Sequence, residues 1–334
     1  MRAARLPRLR LGEYLAGLWL LMAGGVALVA AHWRGRFVFG ATHYFPLVHV
    51  LLLMTTLSLG QLVLVSARGI ALTASSFGRA SGPGFEAERE LLRRILRFAR
   101  DCVPLYTLLL LYPTSDTMLD ALQRSRLADP QLIRIDEVLF GGHASVWMQR
   151  FITPALTDVL SLCYFLHVVL PAIVMVAVSL LAPRRLFVEM IEAFVFVSIV
   201  GATLYVLVPA VGPLHSLRHL YTRDLGGGVI TAVNRVAIQA TRVPRDAFPS
   251  LHVAISALLL VYAWRTRRWL GALVALPTFG NWVSTLYLRY HYLIDVVAGF
   301  ALVPLAIGVV RAWTRRFGDD SLQRPPLTAV PPAT

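Results

Sequence analysis

Apolar residues fall into eight runs along the chain, separated by polar breaks rich in arginine. The runs cover 11–31, 44–66, 102–112, 154–182, 186–208, 253–264, 270–288 and 292–313. A membrane helix needs roughly 20 mostly apolar residues at a rise of about 1.5 Å each. The run at 102–112 is short. It is read as the end of a longer helix that starts in the preceding segment, where 85–100 alternates acid and base at helical spacing. The first run follows Arg2, Arg5, Arg8 and Arg10. A positively charged start also fits a signal peptide, but this run is long for one and shows no small-residue cleavage site, so it reads as a retained span. The breaks differ in kind. Residues 68–100 are polar and arginine-rich, 113–153 read as an interfacial or re-entrant segment containing Trp147, 209–248 form a long glycine-bearing loop, and 318–334 are proline-rich and expected to be disordered. This gives a first unit at 1–100 (two spans and the arginine-rich loop), a six-span core at 101–317, and a tail.

Composition agrees with the pattern. The chain is 57% hydrophobic, has a mean hydropathy of +0.65 and is only 15% charged, against about 25% charged for soluble domains. The fold class expected is an all-α, polytopic membrane helix bundle of about eight spans. The net charge of +14 comes entirely from arginine, since the sequence contains no lysine. The arginines cluster at the ends of the apolar runs, which points to topology signals and contact with anionic lipid rather than nucleic-acid binding. With eight spans, 20 of the 32 arginines lie on the side of the termini, so the termini are expected to be cytoplasmic. Heavy arginine use without lysine fits a GC-rich, bacterial genome, and hence a bacterial plasma membrane. Cys102 and Cys163 lie in or beside apolar runs and are not expected to form a disulfide.

Chemistry concentrates between residues 245 and 295. The sequence P-S-L-H runs from Pro249 to His252, and R-Y-H-Y-L-I-D from Arg289 to Asp295. Two apolar runs lie between the histidines, with Arg265, Arg267 and Arg268 at the turn. The chain thus goes down after His252 and returns before His291, which puts both histidines at one membrane face, on the extracytoplasmic side. His291 and Asp295 are four apart and would share one side of a helix. Phosphoryl transfer to histidine needs a neutral imidazole held in one tautomer, cationic or N–H donors for the phosphate oxygens, and a proton for the leaving group. His291 with Asp295 can meet the first need and His252 the third. Arg245, Arg289 and the helix start after Pro249 can meet the second. This chemistry requires no metal and no cofactor. The histidines at 32, 43, 49, 143 and 167 read as interfacial polar residues.

P-S-x-H, followed about forty residues later by H-x-x-x-D, resembles the phosphatidic acid phosphatase type 2 superfamily, whose members have six-span membrane cores and work through a phosphohistidine. The resemblance implies His291 as nucleophile, Asp295 as its orienting partner, His252 as general acid and Ser250 as a phosphate ligand. The family's first motif carries a lysine followed by Arg-Pro, and its third carries Ser-Arg six to seven residues before the histidine. Here no lysine exists, and Ser284 and Thr285 occupy the latter positions. Arg245 and Arg289 are therefore the candidate phosphate ligands, with Arg242, Arg223 and Arg218 in reserve. These departures resemble the inositol phosphorylceramide synthase-like branch, as do F-P-S-L-H at 248–252, H-Y-x-x-D at 291–295, Y-V-L-V-P-A-V-G-P at 205–213 and D-E-V-L-F-G-G at 136–142. The branch implies transfer of a phosphorylated head group from a phospholipid to a lipid alcohol. A lipid phosphate phosphatase, with water as acceptor, is the alternative within the same chemistry. A transporter using the histidines as a proton relay is a third reading, disfavoured because no internal repeat is seen and the ionisable set lies at one face.

Overall fold

The computed structural model describes residues 10–34, 97–106, 118–119, 126–241 and 243–317. The expected span at 44–66, most of the arginine-rich loop 68–100, about half of the short run 102–112, Arg242 and the proline-rich tail lie outside the described residues. Among the described residues the regular structure is helical, and strand-like pairing is limited to one isolated parallel bridge between Ala210 and Asp246.

The helices that matter for the site are α1 (Leu11–Arg34), α2 (Asp129–Phe140), α3 (Pro154–Leu181), α4 (Arg184–Leu207), α5 (Val229–Thr241), α6 (Leu251–Thr266), α7 (Arg268–Tyr287) and α8 (Leu293–Phe317). Among the described residues α3, α4 and α8 are long and apolar enough to cross a membrane. They establish a helical membrane architecture without fixing the number of spans at eight.

Local sequence sets where these helices start. Pro154 opens α3, and the Thr153 hydroxyl accepts a hydrogen bond from the Leu156 amide at 3.2 Å. Pro183 precedes α4. Ser250 caps α6, its hydroxyl accepting from the Val253 amide at 3.4 Å. α6 is the hub of the bundle and packs against α3, α4, α7 and α8. Its Leu258, Leu259 and Tyr262 are fully buried against Ile191 and Val195 of α4 and Ala306 and Val310 of α8. The outer face of α2 and the following turn leaves Val138, Leu139, Phe140, Trp147 and Phe151 exposed.

The two ends of the bundle are held differently. At the end away from the histidines, Glu189 of α4 accepts from Tyr262 at 3.0 Å and from Arg265 and Arg311 at 2.9 Å each. One carboxylate thereby ties α4, α6 and α8. Nearby, Asp101 pairs with Arg10 at 3.0 Å and Arg184 at 2.8 Å. At the histidine end, α6 and α8 approach closely enough that backbone touches backbone. A Cβ on Gly299 would lie 2.6 Å from the Ser250 carbonyl oxygen and 3.2 Å from Val253 Cβ. Neither atom can yield without moving the start of α6. Gly299→Ala is therefore expected to destabilise the protein by about 1–3 kcal/mol, as overpacked cores do. A lowered thermal midpoint of the detergent-solubilised variant would register it, and an unchanged midpoint would show that this contact is slack.

Candidate active site

His291 lies in the connection between α7 and α8 rather than on a helix, because α8 begins only at Leu293. The expectation that His291 and Asp295 share a helix face is replaced by a loop residue facing the first turn of a helix. The loop is shaped by Arg289, which has a left-handed φ of 68°, and by the end of α7. There the Thr285 carbonyl accepts from the Tyr290 and His291 amides at 3.0 and 3.1 Å. The His291 ring is 4% exposed. Its Nδ1 lies 2.7 Å from the Ala247 carbonyl oxygen and 3.5 Å from Asp295 Oδ2. A carbonyl can only accept, so Nδ1 carries the proton and Nε2 bears the lone pair. Nε2 points at His252 Nδ1, 3.5 Å away. The nearest partner that fixes the tautomer is thus a backbone carbonyl, with Asp295 behind it. Asp295 is fully buried. Its Oδ2 also accepts from the Tyr292 amide at 2.8 Å, while its Oδ1 has no hydrogen-bond partner.

His252 sits in the first turn of α6. Its ring stacks on Tyr164 of α3 with centroids 4.6 Å apart, and Tyr164 in turn lies 4.8 Å from the Tyr290 ring. His167, one helical turn beyond Tyr164, places its ring 4.5 Å from that of His252. The site therefore contains a row of three imidazoles, and the reading of His167 as an ordinary interfacial residue is corrected. Ser250 is fully buried. Its hydroxyl caps α6, and its amide donates to the Asp295 carbonyl at 3.0 Å, which joins the starts of α6 and α8.

Residues 209–216 hold these pieces together. The Ala247 amide donates to the Ala210 carbonyl at 3.1 Å, and the Leu214 amide to the Arg289 carbonyl at 2.7 Å. Gly212 turns with φ 84°, and a Cβ there would be 2.5 Å from the Tyr290 carbonyl oxygen. Two acids of α2 brace the assembly. Asp129 accepts from the Val211 and Gly212 amides (3.0 and 2.9 Å), the Ser216 hydroxyl (2.8 Å) and the Tyr292 hydroxyl (2.8 Å). Asp136 accepts from the Leu293 and Ile294 amides, at 2.9 Å each. Burial pushes the Asp136 carboxyl above the usual carboxylate range, and the two amides work against that rise. The D-E-V-L-F-G-G segment was visible in the sequence, but nothing in it shows that Asp136 reaches a helix 157 residues away.

The arginines differ in placement. Arg289 is buried, stacks over the Tyr221 ring at 3.8 Å, donates to the Arg223 carbonyl, and keeps its Nε without a hydrogen-bond partner. Burial lowers its pKa below the usual guanidinium value. Arg245 is half-buried just upstream of Ala247 and Ser250, whereas Arg218 and Arg223 are exposed. Ser284 and Thr285 do not stand in for the family's third-motif arginine. Both hydroxyls donate back to α7 carbonyls, of Asn281 and Trp282, at 2.7 Å each.

Comparison with known proteins places this geometry. A family model described as the PAP2 superfamily matches residues 130–309, more than half of the chain, and the matched region contains His167, His252, Arg289, His291 and Asp295, while Asp129 lies just before it. The chain is 28% identical over 136 residues to the phosphoinositol dihydroceramide synthase of Bacteroides thetaiotaomicron, a match that takes in 36% of this chain and 45% of that protein. The chain thus aligns with less than half the length of that relative. No solved structure matches.

Gly212→Ala tests whether the turn positions His291. A side chain at φ 84° costs about 1–2 kcal/mol, and its Cβ would push the Tyr290 carbonyl directly before His291. Turnover of a lipid phosphoester substrate is expected to fall at least about tenfold (about 1.4 kcal/mol in the barrier). An alanine variant with wild-type turnover would separate the turn from the chemistry.

Proposed function

The chain belongs to the PAP2 superfamily, and from that premise we propose that it is an integral-membrane phosphotransferase that moves a phosphorylated head group from a phospholipid to a lipid alcohol through a phosphohistidine on His291. Membership makes it an enzyme of lipid phosphoesters. The observation that carries the finer reading is the orientation of the two imidazoles. His291 Nδ1 is held by the Ala247 carbonyl, and its Nε2 faces His252 Nδ1.

The steps follow from those atoms. The Nε2 lone pair of His291 attacks the donor phosphorus, the bond from phosphorus to the donor alcohol oxygen breaks, and His252, protonated as the anionic donor enters, gives that oxygen a proton and is left neutral. The 3.5 Å between the rings leaves no room for a phosphoryl group, so the His252 ring moves aside along Tyr164 and His167 as the donor enters. In the second half, His252 takes the proton from the acceptor hydroxyl. The acceptor oxygen attacks phosphorus, and the phosphorus–nitrogen bond breaks. The positive charge that develops on the His291 ring is met by Asp295, whose second oxygen is otherwise unpartnered. Arg289 is the first candidate for the phosphate oxygens, since its buried guanidinium retains a free Nε–H. Arg245 is the second.

Helix length supports a lipid substrate. α6 has 16 residues, about 24 Å at 1.5 Å per residue, against roughly 30 Å of hydrocarbon. With Arg265, Arg267 and Arg268 at one interface, His252 at the other end of α6 lies at or below the opposite head-group level. α3 has 28 residues, about 42 Å, and rises past it. A site set below the head-group level favours a substrate that enters from the side of the bilayer. The arginine distribution supports an extracytoplasmic site with cytoplasmic termini, and arginine use without lysine supports a bacterial plasma membrane. The relative's name couples phosphoinositol to dihydroceramide, which makes phosphatidylinositol and a ceramide the first donor and acceptor to try.

The test is reconstitution in liposomes containing phosphatidylinositol, phosphatidic acid and either ceramide or diacylglycerol, with products resolved by mass. A new phosphorylated lipid is expected, and His291→Ala is expected to lower its rate by at least about 10³-fold, as loss of a covalent nucleophile does. Release of inositol phosphate or inorganic phosphate with no new lipid would instead assign a phosphatase. Unchanged turnover in His291→Ala would remove the phosphohistidine.

A further inference from the structure

The first turn of α8 presents the amides of Tyr292, Leu293 and Ile294 directly beside His291. A helix start leaves such amides without intrahelical partners, and a nearby carboxylate normally takes them. Asp295, the acid of the first turn, takes only the Tyr292 amide, in the manner of a capping box. The next two are taken by Asp136 of α2, through one oxygen each. Asp136 is 1% exposed. This division of labour leaves Asp295 with Oδ2 toward His291 Nδ1 at 3.5 Å and Oδ1 unengaged.

We propose that Asp136 is a positioning residue for the reaction: by holding the Leu293 and Ile294 amides it keeps the Asp295 carboxylate directed at His291. The inference rests on the phosphohistidine reading given above. Without Asp136, two buried amides lie within reach of a single carboxylate. Leaving those amides unsatisfied is costly, and the Asp295 carboxylate would turn away from His291 toward the helix start. Asp129 does not substitute, because its oxygens are engaged by the Val211 and Gly212 amides, Ser216 and Tyr292. The groups around the His291–Asp295 pair are His252 and, behind it, His167; Arg289 on the same connection; and the hydroxyl of Tyr292, which donates to Asp129. None of them bonds the two α8 amides.

The prediction separates position from stability. Asp136→Asn keeps the shape but sets an amide N–H against one of the two backbone N–H groups. In the reconstituted full-length protein kcat is expected to fall about 10- to 100-fold, the usual range for losing a residue that orients a reactive group, with KM within about twofold, because Asp136 touches no substrate. Ile191→Ala, which thins the fully buried face of α4 near Glu189, at the end of the bundle away from the histidines, is the control for general loosening. It is expected to lower the thermal midpoint while kcat stays within about threefold. Acid-labile, base-stable phosphate on the wild-type protein, and none on His291→Ala, must be seen first. Its absence would overturn the phosphohistidine reading itself. With it present, wild-type kcat in Asp136→Asn, or an equal kcat loss in Ile191→Ala, would overturn the role assigned to Asp136.

Discussion

The hydrogen bond from His291 Nδ1 to the Ala247 carbonyl, 2.7 Å long, is the contact on which the site depends. It fixes the tautomer, and with the tautomer the direction of the Nε2 lone pair. A backbone acceptor can do this only if its peptide is itself held. The Ala247 amide is tied to the Ala210 carbonyl, the following residues lead to the Ser250 cap, and the Ser250 amide is tied to the Asp295 carbonyl. The donor side is held in the same way, through the Thr285 carbonyl and the close seat of Gly212 against Tyr290. The chain therefore relies on main-chain geometry where a carboxylate alone could have served. A neutral acceptor orients imidazole without adding a second negative charge to a region that, in the proposed mechanism, receives a phosphate.

The carboxylates that are present serve mainly to neutralise helix and turn starts. Asp129, Asp136 and Asp295 all accept backbone amides, and hydrogen bonds to a charged acceptor contribute about 1.5–3 kcal/mol each. In a low-dielectric, buried setting the alternative for these amides is no partner at all. At the other end of the bundle, where Arg265, Arg267 and Arg268 meet the interface, the acids pair with arginine instead, as Glu189 and Asp101 do. One residue type thus does two jobs according to what surrounds it. Where cations are plentiful it crosslinks helices, and where they are scarce it closes backbone ends.

How much of this could be read in the sequence follows from the range of each interaction. His252, His291 and Asp295 were legible because their spacing and the apolar runs between them bring them to one face. The helical membrane architecture was legible from hydropathy. Ala247 was not, since its contribution is a carbonyl oxygen that carries no side-chain signature. Asp129 and Asp136 were not, because their partners lie 82 to 163 residues away. His167 looked ordinary in an apolar run. Only the packing of α3 against α6 turns it toward His252. Arg289 was chosen for its charge. Its stacking on Tyr221 depends on the path of the 209–248 loop, which hydropathy does not specify.

In the proposed mechanism the phosphohistidine is discharged by water or by a lipid hydroxyl, and no residue of the motif chooses between them. Both acceptors would give up their proton to the same His252. Choice therefore falls to what can reach His291 Nε2. That ring is 4% exposed, and the imidazole facing it is covered by Tyr164 and His167, with Tyr290 stacked beyond. This aromatic wall limits the access of bulk water, whereas a lipid hydroxyl arrives with its own apolar chain and can replace wall contacts as it enters. In the proposed mechanism His252 is already displaced once the donor has entered, so the acceptor is held by what it touches along this wall, and a chain-bearing acceptor has far more to bind with than water. On that reading, the packing that buries His291 favours an acceptor that comes from the bilayer.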